Sequence, residues 1–358
     1  LQSMLPYRIS RCFDMASVTK LFTSTAFMTL WHSGKVTPET RLVDIIPEFG
    51  AINPRSMDGG QDPHSKERLA IPDDIAGKTA NPDDVTFWHL LTHTSGLPPW
   101  RDVYNAAGNA PVPPGKSDPV ERDARWQKAI AALCNYPFVG FPSDNVVRYS
   151  DIGLMLLGEA VSRVHGTPGK LDVAIQERVL DPLNLKQVCF NPVHEHNTAL
   201  DNTVPTEIDD TWRQRRAWGE VHDENACGIG GVAGHAGIFA TAQNIARFGQ
   251  AWLNGGTAWN LSPEIVGAAT AEQVESDGTR RGLGFALKTK TDSFSGDHSS
   301  MKSYGHTGFT GTSLWIDLEH ELVIAILTNR VYPGRHKPGI HTFRRAVHDM
   351  FYQMLTTA

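Results

Sequence analysis

The sequence predicts a mixed α/β (α+β) fold: an antiparallel sheet flanked by helices, built from both chain ends, with a mostly helical domain inserted between them. Three observations carry this. An early stretch of about sixteen residues, Ser17 to His32, is apolar over most of its helical circumference, as a helix buried in the middle of a fold must be. The middle of the chain then shows helical periodicity broken by polar loops. After residue 282 the pattern changes to successive short strands and one closing helix. The expected division is an α/β sheet domain from residues 1–50 and 238–358, and a helical insertion over 51–237.

Taken in order, Tyr7 to Phe13 alternates roughly polar and apolar, like a strand running into the first helix. In that helix Leu21, Phe22, Ala26, Phe27, Met28 and Leu30 point in several directions, and Gly34 supplies a stop. Residues 51–84 are rich in Pro, Gly and Asp and predict loop. Thr86 to Thr92 predicts a short helix before the Ser95-Gly96-Leu97-Pro98 stop. Further helices are expected at 120–134, 152–165 and 171–180. The segment Cys227 to Gly237 is the most glycine-dense of the chain. Helices at 242–253 and 263–269 follow. Strands are expected at 282–289, 301–306, 311–317 and 321–328, the last two joined by the Leu318-Glu319-His320 turn, and a helix at 342–355 closes the chain. No repeat of 20–50 residues is visible.

Composition excludes some functions. The 358 residues are 40% hydrophobic and 20% charged, with a formal net charge of -6, ordinary for a globular protein and opposed to a nucleic-acid surface. No apolar run reaches the roughly 18 residues of a membrane span. Cys12, Cys134, Cys189 and Cys227 are scattered without a Cys-x-x-Cys pair, so neither a disulfide framework nor a zinc site is expected. No charged-then-apolar leader stands at residue 1, which makes a cytoplasmic location the default expectation.

Three constellations carry chemistry. Ser17-Val18-Thr19-Lys20 sets a hydroxyl and an amine one helical turn apart on one face, at a helix start where free N–H groups and the dipole favour negative charge. A serine so placed can act as a nucleophile and the amine can take its proton. Tyr149-Ser150-Asp151 precedes a helix, and a tyrosine beside an ammonium can exchange protons. His306-Thr307-Gly308-Phe309 ends a strand, where a glycine permits close approach and a histidine offers a donor or a proton. Each has an ordinary structural explanation: a helix cap at Ser17, a cap at Asp151 with Tyr149 as packing, and a glycine-rich hairpin with a surface histidine.

Together and in this order, the three segments resemble the serine β-lactamase and penicillin-binding-protein superfamily. The likeness is greatest to the class C β-lactamases and their relatives: family VIII carboxylesterases, D,D-peptidases, D-aminopeptidases and fungal acyltransferases. Leu90-Leu-Thr-His-Thr-Ser-Gly-Leu-Pro98, Tyr149-Ser-Asp-Ile-Gly-Leu-Met-Leu-Leu-Gly158 and Gly230-Gly-Val-Ala-Gly-His-Ala-Gly-Ile-Phe239 extend the resemblance from Phe13 to the last helix. It implies a β-lactamase/transpeptidase-like fold with its cleft between the two domains. It implies Ser17 as the acylated nucleophile, and Lys20 as the base that also lowers the pKa of Tyr149. Tyr149 would be the proton shuttle, with the N–H groups of Ser17 and Phe309 as the oxyanion site. His306, Thr307 and Gly308 would line the substrate side, and Asp151 would stand near them. No cofactor and no metal are implied.

Two departures shape the substrate expectation. Most class C β-lactamases carry lysine at the position of His306 and asparagine at that of Asp151. A histidine holds a carboxylate poorly, and an added carboxylate repels one, so small uncharged esters are favoured over β-lactams. The alternatives are β-lactamase, D,D-peptidase or D-aminopeptidase activity, acyl transfer on the same residues, and a binding module without catalysis. A third departure is that few residues precede Ser17. Residues 51–84, 105–118 and 195–226 are expected to form the cleft rim, with Trp88, Trp100, Trp212 and Trp218 as candidates to line it. The expected partner is a small ester or amide, not nucleic acid.

Several motifs are set aside. Gly228-Ile-Gly-Gly-Val-Ala233 matches a dinucleotide turn but lacks a preceding strand. His194-Glu195-His196 lacks a third metal ligand. A second Ser-x-x-Lys, Ser299-Ser300-Met301-Lys302, lies in a polar stretch with no helix start.

Overall fold

In a computed structural model the chain is described over residues 10–357. Its central element starts as one 3-10 turn, Ala16–Val18, and continues as an α-helix, Thr19–His32. Every residue from Thr19 to Leu30 is buried, as the all-round apolar pattern demands. The buried threonines among them find partners: Thr23 donates to the Gly234 carbonyl at 2.9 Å, while Thr25 and Thr29 donate back into their own helix; the Ser24 hydroxyl has no partner among the described residues. Gly34, at φ +70°, turns the chain out.

On one side this helix packs on the Asp151–His165 helix. On another, Phe22 stacks on Phe248 at 4.2 Å and Thr25 accepts the Trp252 indole N–H at 3.0 Å. From Trp252 the aromatic contacts run on through Phe285 to Tyr304 in the sheet. One buried apolar cluster therefore joins the central helix, the helices and the sheet.

The strands are β1 (Phe13–Asp14), β2 (Arg55–Ser56), β3 (Thr79–Ala80), β4 (Ile208–Asp209), β5 (Arg215–Arg216), β6 (Phe239–Ala240), β7 (Val274–Ser276), β8 (Thr279–Arg281), β9 (Ala286–Leu287), β10 (Ser303–Thr307), β11 (Ser313–Asp317) and β12 (Leu322–Ile326). The last six form one antiparallel sheet in order β12-β11-β10-β9-β8-β7. Register separates its faces. Leu314, Ile316 and Val323 meet Gly249 of the Ala242–Leu253 helix, while Ile324, Ile326 and Leu322 pack on Val347 and Tyr352 of the Ile340–Thr357 helix. Helices thus cover both faces. The strand expected at 7–13 falls partly outside the described residues; its end is β1, which pairs with β6.

The hairpin β7–β8 was not foreseen. Its sequence, Val-Glu-Ser-Asp-Gly-Thr-Arg-Arg, has no apolar alternation, because it lies at the sheet edge with both sides partly wet. Between residues 51 and 237 the strands are the short ribbons β2–β3 and β4–β5, and the rest is helices joined by long turns and irregular segments. Among the described residues no helix is long and apolar enough to cross a membrane. The four cysteines are free, and burial pushes the thiol of Cys12 up to about 11 and those of Cys134, Cys189 and Cys227 to about 12.

Candidate active site

The turn that presents Ser17 is held from three sides. Ala16 adopts a left-handed backbone, φ +46°, that its β-carbon disfavours. The Asp14 carboxylate compensates by accepting the Ala16 N–H at 2.8 Å, and its other oxygen accepts the His222 N–H at 2.6 Å. Thr310 and Thr312 donate to the carbonyls of Asp14 and Met15. Gly308 is required by this packing, since a β-carbon there would stand 2.1 Å from Thr312 Oγ1 and 2.5 Å from the Met15 carbonyl. The close approach foreseen at Gly308 is thus made by the chain itself.

Lys20 is 1% exposed, and three oxygens converge on its Nζ: Ser17 Oγ at 2.9 Å, the His235 carbonyl at 3.1 Å and Asp151 Oδ1 at 2.7 Å. Burial alone lowers its pKa, but Asp151 and Tyr149 outweigh burial and hold it above the ordinary lysine value. The resting amine is therefore an ammonium. Tyr149 lies within hydrogen-bond reach of both Lys20 and Ser17, with Nζ 4.8 Å from its ring centre. Its pKa is raised, first by burial, against the pull of Lys20 and with a further push from Asp151. Lys20 does lower it, as expected, but the net shift is upward. In this enclosed site the desolvation of a phenolate wins, and Asp151 offsets much of the ammonium's field.

His306 is buried rather than at the surface. Its Nδ1 faces the Thr307 carbonyl at 2.8 Å and so carries the proton, leaving Nε2 a buried acceptor without a partner among the described residues. Burial, then Lys20 and Arg281, hold its pKa well below the usual histidine value, so it is neutral. Arg281, at the end of β8, brings a guanidinium to this cleft. Its guanidinium lies 5.3 Å from the Tyr149 ring, its Nε is buried without a partner, and no carboxylate pairs with it among the described residues. Arg330 and Arg344 also line the cleft, but both are engaged with backbone carbonyls. The premise that the cleft lacks a fixed positive charge is thus corrected. No motif pointed to Arg281, because it sits in the unforeseen hairpin.

The cavity in front of Ser17 holds about 350 Å³. Tyr149, His306, Thr307, Gly308 and Phe309 line it, with Phe294 and Trp315 as its larger apolar walls. Phe309, 38% exposed, lies under Arg330 at 4.3 Å, and its N–H has no acceptor within the described residues. The expected rim is corrected: residues 51–84, 105–118 and 195–226 do not line this cavity. Part of 105–118 borders a separate polar cavity of about 610 Å³. The four tryptophans are engaged elsewhere. Trp88 donates to Gln273 and Trp218 to the Thr203 carbonyl, while Trp100 and Trp212 flank Tyr104. Side-chain direction, invisible in composition, decided this.

Asp151, Asp223 and His235 bring ligand atoms within 4.8 Å of one another. The Lys20 ammonium already sits against Asp151 and the His235 carbonyl, so the charge a metal would bring is supplied by the chain.

A family model described as Beta-lactamase matches residues 2–348. An N-acetylmuramyl-L-alanine amidase of Bacillus subtilis (strain 168) is 31% identical over 345 residues, covering 92% of this chain and 69% of that protein. A putative D-alanyl-D-alanine carboxypeptidase of Escherichia coli (strain K12) is 32% identical over 337 residues, covering 89% and 69%. Among solved structures, EstCE1, described as a hydrolase with promiscuous acyltransferase activity, superposes with a TM-score of 0.66 at 17% identity, covering 97% of this chain and 86% of its own. With the family model matched over nearly all of its length, and these relatives above 30% identity, the chain belongs to the beta-lactamase family of serine hydrolases.

Proposed function

We propose that the protein cleaves amides or esters that carry an anionic group, through an acyl-enzyme on Ser17, in a cleft between the sheet part (1–50 and 238–358) and the helical insertion (51–237). Ser17 Oγ attacks the carbonyl carbon, and its proton passes to Lys20 as Lys20 releases one to Asp151. The N–H groups of Ser17 and Phe309 receive the developing oxyanion. Tyr149, neutral at rest, gives its proton to the leaving group as the acyl bond breaks. Water then attacks the acyl carbon and gives a proton to the Tyr149 phenolate, Asp151 returns its proton through Lys20 to Ser17 Oγ as the ester bond breaks, and the carboxylic acid leaves.

The observation that carries this reading is the Lys20 ammonium 2.9 Å from Ser17 Oγ and 2.7 Å from Asp151. Arg281 supports the anionic substrate: a guanidinium that lines the same cavity as Ser17, with no carboxylate partner among the described residues, is completed by a carboxylate. The relatives named as a carboxypeptidase and an amidase act on amides by name, which favours amides over esters. A second reading, small uncharged esters, draws support from the apolar walls Phe294, Phe309 and Trp315.

The test is intact-mass detection of an acyl adduct with three compounds: a D-alanyl-D-alanine-terminated peptide, p-nitrophenyl butyrate and a chromogenic cephalosporin. Adducts from a carboxylate-bearing compound support the proposal, and turnover of the ester alone replaces it with the second reading. No adduct and no fluorophosphonate labelling of Ser17 overturns catalysis and leaves a binding module.

A further inference from the structure

We propose that His93 is the positioning residue of Tyr149, an inference that rests on the proton-transfer role given to Tyr149 above. His93 ends the short Phe87–Thr92 helix in a left-handed backbone, φ +61°, and is buried. From there it grips the chain on both sides of Tyr149. Its carbonyl accepts the Arg148 N–H at 2.7 Å, and its ring Nδ1 accepts the Ser150 N–H at 3.0 Å. The same ring lies against Tyr149, with centroids 4.6 Å apart and planes at 39°. The turn that follows completes the hold: the Pro98 carbonyl accepts the Ser150 hydroxyl at 2.7 Å and the Pro99 carbonyl accepts the Asp151 N–H at 2.9 Å.

The clamp specifies a protonation state. A ring nitrogen that accepts from a backbone N–H cannot carry a proton, so His93 is the neutral Nε2–H tautomer. A protonated ring would lose the Ser150 bond and add another positive charge beside Tyr149, where Lys20 and Arg281 already stand. Burial first, and then Arg281, Lys20 and His306, hold its pKa well below the ordinary value. The ring also shields one side of the Tyr149 phenol from water, which helps keep that phenol protonated.

The test is His93→Asn. Asparagine tolerates the left-handed backbone and keeps a side-chain acceptor, but removes the ring face. In a variant shown folded by its melting curve, kcat for p-nitrophenyl butyrate and the rate of fluorophosphonate labelling fall about tenfold or more, with KM changed by less than about twofold. The alkaline limb of the pH profile moves to lower pH, because water reaching Tyr149 relieves the burial that raises its pKa. A folded variant with wild-type kcat and an unmoved limb overturns the proposal.

Nitrogen-15 NMR of the wild-type protein tests the clamp without any variant. His93 Nδ1 must show an unprotonated, acceptor-type shift that stays constant from about pH 6 to 8. A protonated Nδ1 overturns the clamp even if His93→Asn does not fold. Failure of the wild-type protein to react with either probe counts against the acyl-enzyme reading instead, and leaves the NMR result to decide the clamp.

Discussion

The chain contains the same four-residue spacing twice, and the two copies meet opposite fates. At Ser17-Val18-Thr19-Lys20 the lysine is sealed in the core with its ammonium on the serine hydroxyl. At Ser299-Ser300-Met301-Lys302 the residues form a turn entering β10. There Lys302 is 66% exposed and reaches out to Glu319 at 3.3 Å. Ser299 donates its hydroxyl to the Gly296 carbonyl, and a different ammonium, that of Lys288, sits on the Ser299 carbonyl. Ser300 gives both its N–H and its hydroxyl to Asp317. The spacing brings two side chains together only on a helix. Only burial among acceptors then turns the lysine into a group that handles protons.

Four experiments probe this contrast. The largest effect belongs to the nucleophile: Ser17→Ala lowers turnover by about 10^4-fold or more and removes fluorophosphonate labelling, while Ser299→Ala leaves both within about twofold. Equal loss in the two variants breaks the contrast. Next, Arg281→Ala raises KM for a carboxylate-bearing substrate by about 10- to 100-fold, the loss of one charge-assisted hydrogen bond, with an uncharged ester little affected. A parallel rise for both substrates removes Arg281 from anion recognition.

Asp151→Asn tests the buried ion pair through pH. Asp151 raises the pKa of both Lys20 and Tyr149, so its removal lowers both, and the alkaline limb of the rate profile moves to lower pH. A limb that stays or rises contradicts the assigned network. The smallest effects lie in the second copy. Ser300→Ala costs about 1–2 kcal/mol in chemical denaturation, because buried Asp317 loses a hydrogen bond. Lys302→Ala, an exposed partner, costs less than about 0.5 kcal/mol, and neither changes labelling.

The legible part of the fold was the part with strong periodicity. The Ala242–Leu253 helix falls at the expected residues, and β10 to β12 fall within two or three residues of their expected positions. Where the pattern was weak, as in the wet edge hairpin Val274–Arg281, the expectation failed. The same failure hid Arg281, and with it the charge of the cleft. The four tryptophans show the reverse error: they are large and conspicuous in sequence, yet they are spent on packing away from Ser17. His93 stands within the Leu90–Pro98 motif, but its hold on the chain around Tyr149 joins residues 57 apart and has no local trace.

By itself the sequence determined the buried central helix, the one-turn pairing of Ser17 with Lys20, and the order of segments that meet there. These follow from short-range geometry, the 3.6-residue turn and the period-two strand. The tertiary structure alone decided the protonation of the site and the charge of the cleft. Those depend on which distant groups share a low-dielectric space: Asp151 against Lys20, burial around Tyr149 and His306, and Arg281 with no carboxylate partner among the described residues. Electrostatics is a property of that shared space, and no stretch of chain contains it.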